Sequence, residues 1–168
     1  PMSKKVIRTS KKSKQKNHKK YGDDSKVNYQ CIIRDNSCIG GPLGVKNVVV
    51  TRKEGKGSFD EEKGVIVGNI RMGFGHYRIS MAIASAAHAL GYTPYWMDLN
   101  SYPETTCTKL ISAQNELYSL GSRISQKSKL FNKFVWEPVN YEGFRQLSYN
   151  AADQKNAELM APVYHSVP

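Results

Sequence analysis

Residues 64–80 read GVIVGNIRMGFGHYRIS, an apolar run that passes through a glycine-rich turn into the start of an alanine-rich segment. The run 65–70 has the composition of a strand buried in a parallel sheet. Residues 76–90, HYRISMAIASAAHAL, hold strong helix formers and no Gly or Pro, and Gly91 stops them. Residues 93–99, TPYWMDL, give a second strand with Pro94 near its start, where a missing N–H is tolerated. Strand, helix and strand together take 35 residues, 64–98, the length of one βαβ unit. A parallel pair with a right-handed crossover follows, and Ala82, Ala84, Ala86, Ala87 and Ala89 let the helix lie close to the sheet.

The turn between strand and helix has the make-up of an anion pocket. A helix start leaves its first N–H groups without intrahelical partners and carries partial positive charge. His76 and Arg78 stand at this start, Arg71 is close by, and no acidic residue occurs between Lys63 and Asp98. Cations there oppose the dipole, so a ligand or a distant carboxylate is expected to answer them. A dinucleotide fingerprint needs GxGxxG with an acid about 20 residues on. Gly73 and Gly75 supply two glycines and Asp98 supplies the acid, but Arg78 occupies the third glycine position. A P-loop fails too, because Gly73 is followed by Phe74-Gly75 and not by Lys-Ser/Thr.

Outward from this unit, residues 27–34 (VNYQCIIR) and 45–52 (VKNVVVTR) read as a strand pair across Gly40-Gly41-Pro42-Leu43-Gly44. Residues 53–63 are a polar surface connection. On the other side, helical spacing from 105 to about 123 puts Leu110, Ile111, Leu117, Leu120 and Ile124 on a stripe expected to be buried. A last helix is expected over residues 141–160. The resulting fold class is α/β, a Rossmann-like parallel sheet, incomplete, preceded by a β-hairpin. Its expected divisions are 1–25, 26–63 (hairpin and loop) and 64–168 (partial Rossmann-like domain).

Nine of the 25 basic residues lie within residues 3–20, which contain no acid, so the remaining 16 face 14 acidic residues and the rest of the chain is near +2. Residues 1–25 carry too much charge and too little apolar surface to offset ordering, which predicts a disordered basic tail. That tail is either a solubilising arm or a contact for nucleic acid or an anionic membrane. No run approaches the roughly 18 apolar residues of a spanning helix, so a soluble or peripheral protein is expected. Cys31, Cys38 and Cys107 form no CxxC pair, which points to reduced cytosolic thiols and to no metal site.

The segment GNIRMGFGHYRISMAIASAAHALGY, followed by a strand ending in Asp98, resembles the opening βα unit of GT-B glycosyltransferases. It is most similar to the processive diacylglycerol glycosyltransferases and monogalactosyldiacylglycerol synthases, which carry a Gly-x-Gly-His turn before an alanine-rich helix. The peptidoglycan enzyme that adds N-acetylglucosamine to its lipid-linked precursor has a related Gly-Gly-His turn. Gly73, Gly75, His76 and Ala82 match, and Ser80 sits where these families place a small or hydroxyl residue. The likeness covers about residues 64–100; Tyr77-Arg78 and the preceding hairpin depart from the pattern. It implies an N-terminal, acceptor-binding half whose donor half, binding a nucleotide sugar, comes from further sequence or another polypeptide. The acceptor is then a lipid or other hydroxyl compound, this chain alone should not turn over, and its place is the cytoplasm or the inner face of a membrane.

Within that reading His76 is the general base on the acceptor hydroxyl, against a plain helix-start histidine. Arg71 and Arg78 neutralise phosphate, against a salt bridge to Asp98 or Glu104. Gly73, Phe74 and Gly75 line the acceptor site, the glycines supplying positive φ and backbone clearance. Asp98 contacts ligand or caps its loop. Lys129, Phe131, Lys133, Phe134 and Trp136, with Lys127, form an interfacial membrane or partner patch or an amphipathic core helix with solvated lysines. His88 is an ordinary surface or packing residue. The rival class is a binding module whose basic tail contacts nucleic acid or anionic surfaces while the α/β unit is a scaffold.

Overall fold

The computed structural model describes residues 4–53, 58–71, 73–147, 159–165 and 167. In chain order these form α1 (Lys4–Tyr21), β1 (Gln30–Asp35), α2 (Gly40–Leu43), β2 (Lys46–Thr51), β3 (Gly64–Asn69), α3 (Phe74–Ala89) and β4 (Thr93–Asp98). Then come α4 (Thr106–Lys127), α5 (Lys129–Phe131), a π-helical turn (Asn132–Trp136) and α6 (Glu137–Leu147). Residues 159–164 are helical as well, and the middle of the helix expected over 141–160 lies outside the described residues.

The expected α/β architecture is present: among the described residues four strands lie in the order β1-β2-β4-β3. β3 and β4 run parallel in register from Gly64↔Thr93 to Asn69↔Asp98, with α3 as the crossover. The hairpin β1–β2 is antiparallel, and it does not stand apart from the Rossmann-like unit. β2 joins β4 in parallel through Lys46↔Tyr95 and Asn47↔Trp96, so all four strands share one sheet. β4 is the buried central strand, with Pro94 to Met97 all buried. The 65–70 run is not buried as its composition suggested. β3 ends the strand order, so only Val67 and Asn69 are buried while Ile66 is exposed.

Successive side chains of β4 point to opposite faces and so divide the core in two. Tyr95 and Met97 join Tyr29, Cys31, Val48, Tyr102 and Val163 on one face; Trp96 joins Val45, Val67 and Ala84 of α3 on the other. α3 comes close because its inward residues are small. Ser80, Ala84 and Ala87 are buried, and the Ser80 hydroxyl donates to the Gly68 carbonyl at 3.0 Å. Gly91, at φ +81°, ends the helix as expected. His88 is exposed at the surface and its ring covers Gly44.

Two expectations about the periphery are corrected. The basic segment is a helix, not a disordered tail: Ile7, Ser10, Ser13, Lys14, Asn17, His18 and Tyr21 form its less exposed face, with Ser10 buried. These residues recur at helical spacing but are mostly polar, and Lys, Arg and Gln are good helix formers, so charge composition concealed an ordered element. α1 ends at Gly22 (φ +104°) and at a contact of 3.2 Å between His18 Nδ1 and Asp23 Oδ1. Hydrogen bonds from Ser25 hold the Asp23 carboxyl below its ordinary range. The second correction concerns α4, which buries Leu110 near its start but leaves Leu117, Leu120 and Ile124 exposed. Only the first turns of α4 reach the core.

Burial pushes the Cys31 thiol up to about 11 and the Cys107 thiol up to about 12, whereas Cys38 is exposed. Thiols held protonated in the fold ionise first in the unfolded chain, so stability is intact below about pH 9 and declines as pH rises toward 11–12. The native protein should release one equivalent of colour with a disulfide reagent at neutral pH, and none after Cys38→Ser. The other two thiols should react only in denaturant. Rapid native labelling of Cys31 or Cys107 contradicts the packing.

Candidate functional site

The carboxyl ends of β3 and β4 carry the site, the side of an open α/β sheet where ligands bind. Gly73 (φ +125°) is the N-cap of α3; its backbone conformation favours glycine, and no side chain caps the helix. The first turn contains no acid. The leading N–H groups of a 16-residue helix therefore have no side-chain acceptor. Gly75 differs from expectation: it lies inside the helix without positive φ, and a Cβ built on it meets nothing within 4 Å. Intrachain packing does not require glycine at this position.

Beside this helix start is a cleft of about 290 Å³ lined by Asn69, Ile70, Arg71, Gly73, Phe74 and Tyr77. Phe74 is 83% exposed at its rim. Tyr77 is fixed by an edge-on contact with Trp96, with ring centroids 5.6 Å apart. Asn69, one of the lining residues, is only 4% exposed, and its side-chain Oδ1 is buried with no hydrogen-bond partner among the described residues. A buried amide oxygen left unpaired costs on the order of 1–3 kcal/mol.

The connecting turn is held on both sides. The Arg71 N–H donates to Asn100 Oδ1 at 2.9 Å, and Asn115 Nδ2 donates to the Arg71 carbonyl. The guanidinium donates from Nε and Nη2 to Asp98 Oδ2 at 2.8 and 2.6 Å, and from Nη2 to Ser101 Oγ at 3.0 Å. Asp98 also accepts from the Asn100 N–H at 3.0 Å and the Ser101 hydroxyl at 2.9 Å. The carboxylate that answers Arg71 is thus Asp98, which at the same time caps its own loop. Asp98 acts as a positioning group, while Arg71 contributes one wall of the cleft.

Of the residues singled out from the sequence, Arg71, Gly73 and Phe74 line the cleft and Gly75 adjoins it. His76 and Arg78 are exposed on α3 and are not among the lining residues. Asn69, Ile70 and Tyr77 were missed. A polar residue closing an apolar strand was the available signal for Asn69. On the opposite flank, Phe134 is exposed beside Lys129 and Lys133, whereas Phe131 and Trp136 are half-buried. Trp136 lies against Gly121, where a Cβ would meet its ring, and its centroid is 5.4 Å from that of Tyr118. The segment is therefore not a core helix with a buried stripe.

Over residues 1–168 the sequence matches the family described as Domain of unknown function (DUF6937). The chain belongs to this family. No curated protein and no solved structure matches it. Among the described residues, no helix is long and apolar enough to cross a membrane and no His/Cys/Asp/Glu group could hold a metal ion.

Proposed function

We propose that the cleft at the start of α3 is the acceptor side of a glycosyl-transfer site. The observation that carries this reading is an uncapped helix N-terminus beside a cleft whose lining includes Asn69, a residue with a buried side-chain oxygen that has no partner among the described residues. The two features suit a ligand with complementary ends. A hydroxyl donates to Asn69 Oδ1, while an anionic group or a developing alkoxide is stabilised by the N–H groups of the first turn. The bare backbone at Gly75 gives such a group close approach, and Phe74 and Tyr77 offer apolar walls to a sugar ring or acyl chain. His76 lies on the same helical turn, exposed and outside the cleft lining; as general base it would take the hydroxyl proton from the rim of the cleft. The resemblance to lipid glycosyltransferases fits this arrangement, with the nucleotide-sugar half to be supplied by further sequence or another polypeptide. Exposed Leu130, Phe134, Val139 and Tyr141 next to Lys129 and Lys133 suit an acceptor presented at a lipid surface.

Titration with short-chain diacylglycerol and short-chain phosphatidic acid, followed by amide NMR, tests the reading. One or both should shift the Gly75 and His76 backbone resonances and the Asn69 side-chain amide. Asn69→Leu should weaken binding about tenfold or more, yet raise stability by about 1 kcal/mol by removing an unpaired polar group. Gly75→Ala should likewise stabilise, by up to about 1 kcal/mol, while impairing binding. If both variants bind as well as the parent chain, the cleft is not the acceptor site.

A further inference from the structure

We infer that α1 is a docking ridge for duplex DNA, held in place by the body of the protein and reading phosphates rather than bases. The exposed residues of α1 include eight Lys or Arg and only two others, Thr9 and Gln15. At about 100° per residue these eight cations spread over roughly half of the helix circumference. They include an i, i+4 ladder, Lys4, Arg8, Lys12, Lys16 and Lys20, in which neighbouring like charges oppose the helix. No acid within α1 relieves them. A polyanion would.

The helix is not a loose arm. Asp24 Oδ2, just past its end, accepts from the buried Thr106 N–H at 2.9 Å, and Lys109 Nζ donates to the Tyr21 carbonyl at 3.2 Å. The Thr106 hydroxyl donates to the Gly22 carbonyl. The C-terminal end of α1 is thereby fixed to the first turn of α4, and the cationic face is presented outward in a set orientation.

Three features favour duplex DNA over other polyanions. Among the side chains described, the exposed face carries no apolar or aromatic one, so it lacks both the stripe that inserts into a membrane and the platforms on which single-stranded bases stack. Cations spread over half a cylinder are met better by the two phosphate walls of a groove than by a flat lipid surface, which reaches only a narrow strip. A helix about 10–12 Å across also fits the B-form major groove, about 12 Å wide, but not the deep, narrow major groove of A-form RNA.

The test uses the full chain and a fluorescent mixed-sequence duplex of roughly 20 base pairs, followed by anisotropy from about 50 to 200 mM salt. The logarithm of affinity should fall against the logarithm of salt with a slope of about −4 to −7, a loss of about 10²- to 10⁴-fold over that range. Replacing Arg8, Lys12 and Lys19 together by Gln should leave circular dichroism unchanged, because the sites are exposed and Gln is a good helix former. It should cut the slope by about 3. Replacing Lys127, Lys129 and Lys133 by Gln removes the same charge and should leave the slope as it was. The proposal is overturned by an absence of duplex binding, by equal effects of the two triple variants, or by tighter binding to single strands, duplex RNA or phosphatidylserine-containing vesicles.

Discussion

Asp24→Ala should lower stability by about 3 kcal/mol and release α1 from the body of the protein. Asp24 is only 4% exposed, and its Oδ2 accepts from both the Thr106 N–H at 2.9 Å and the Tyr29 hydroxyl at 3.1 Å. Thr106 opens α4, whose orphan N–H groups and positive end favour a carboxylate at this spot. Hydrogen bonds to a charged group contribute about 1.5–3 kcal/mol each, and truncation leaves buried donors unpaired. Tyr29 has a second acceptor in the Glu104 carbonyl at 3.2 Å, so the larger share of the loss comes from Thr106. Asp24→Asn keeps an acceptor oxygen and should lose less, about 1–1.5 kcal/mol. Urea unfolding reads the stability, and limited trypsin digestion reads α1. Thr105 caps α4 as well, its hydroxyl accepting from the Thr108 N–H at 3.1 Å, so an Asp24→Ala protein with an unchanged urea midpoint would show that the Asp24 bonds add nothing to that cap.

Gly64→Ala should cost about 2–4 kcal/mol, as overpacking against rigid neighbours does. Gly64 opens β3 and its N–H donates to the Asp60 carbonyl at 2.7 Å. A Cβ there would collide with that carbonyl and come within 2.9 Å of the Tyr95 ring. Neither can step aside. The carbonyl belongs to the turn that enters the strand, and the Tyr95 hydroxyl accepts from the Asp60 N–H at 2.8 Å while its ring packs on Phe59 with centroids 4.9 Å apart. Gly68→Ala is the internal control, because its Cβ meets nothing within 4 Å and glycine in a strand interior is worse than alanine by about 0.5–1 kcal/mol. Opposite signs at two glycines of one strand, read from thermal or urea midpoints, check the packing; equal effects would sink it.

The βαβ unit was legible because each of its parts has a local cause: a glycine at positive φ, small residues on one helix face, and Gly91 after the last turn. What was not legible depended on partners distant in sequence. The 65–70 run is as apolar as a central strand, but its place in the sheet is set by the pairing of β2 with β4, which nothing within the run encodes. Leu117, Leu120 and Ile124 keep perfect helical spacing yet lie beyond the reach of the sheet. α1 docks through polar residues, so its periodicity lay beneath the charge count. At the site, the turn residues were visible as a motif, whereas Asn69 mattered only once its burial and its unpaired oxygen could be seen.

The sheet is sewn unevenly. The hairpin strands pair over six positions and so do β3 and β4, but β2 meets β4 at two. That short seam is joined more by side chains on the two faces, Val48 against Tyr95 and Met97 and Val45 against Trp96, than by ladder hydrogen bonds. The cleft lies at the far edge of the sheet, on the strand most remote from the hairpin. Both walls of the cleft are drawn from the half in which β3 and β4 pair along their full length.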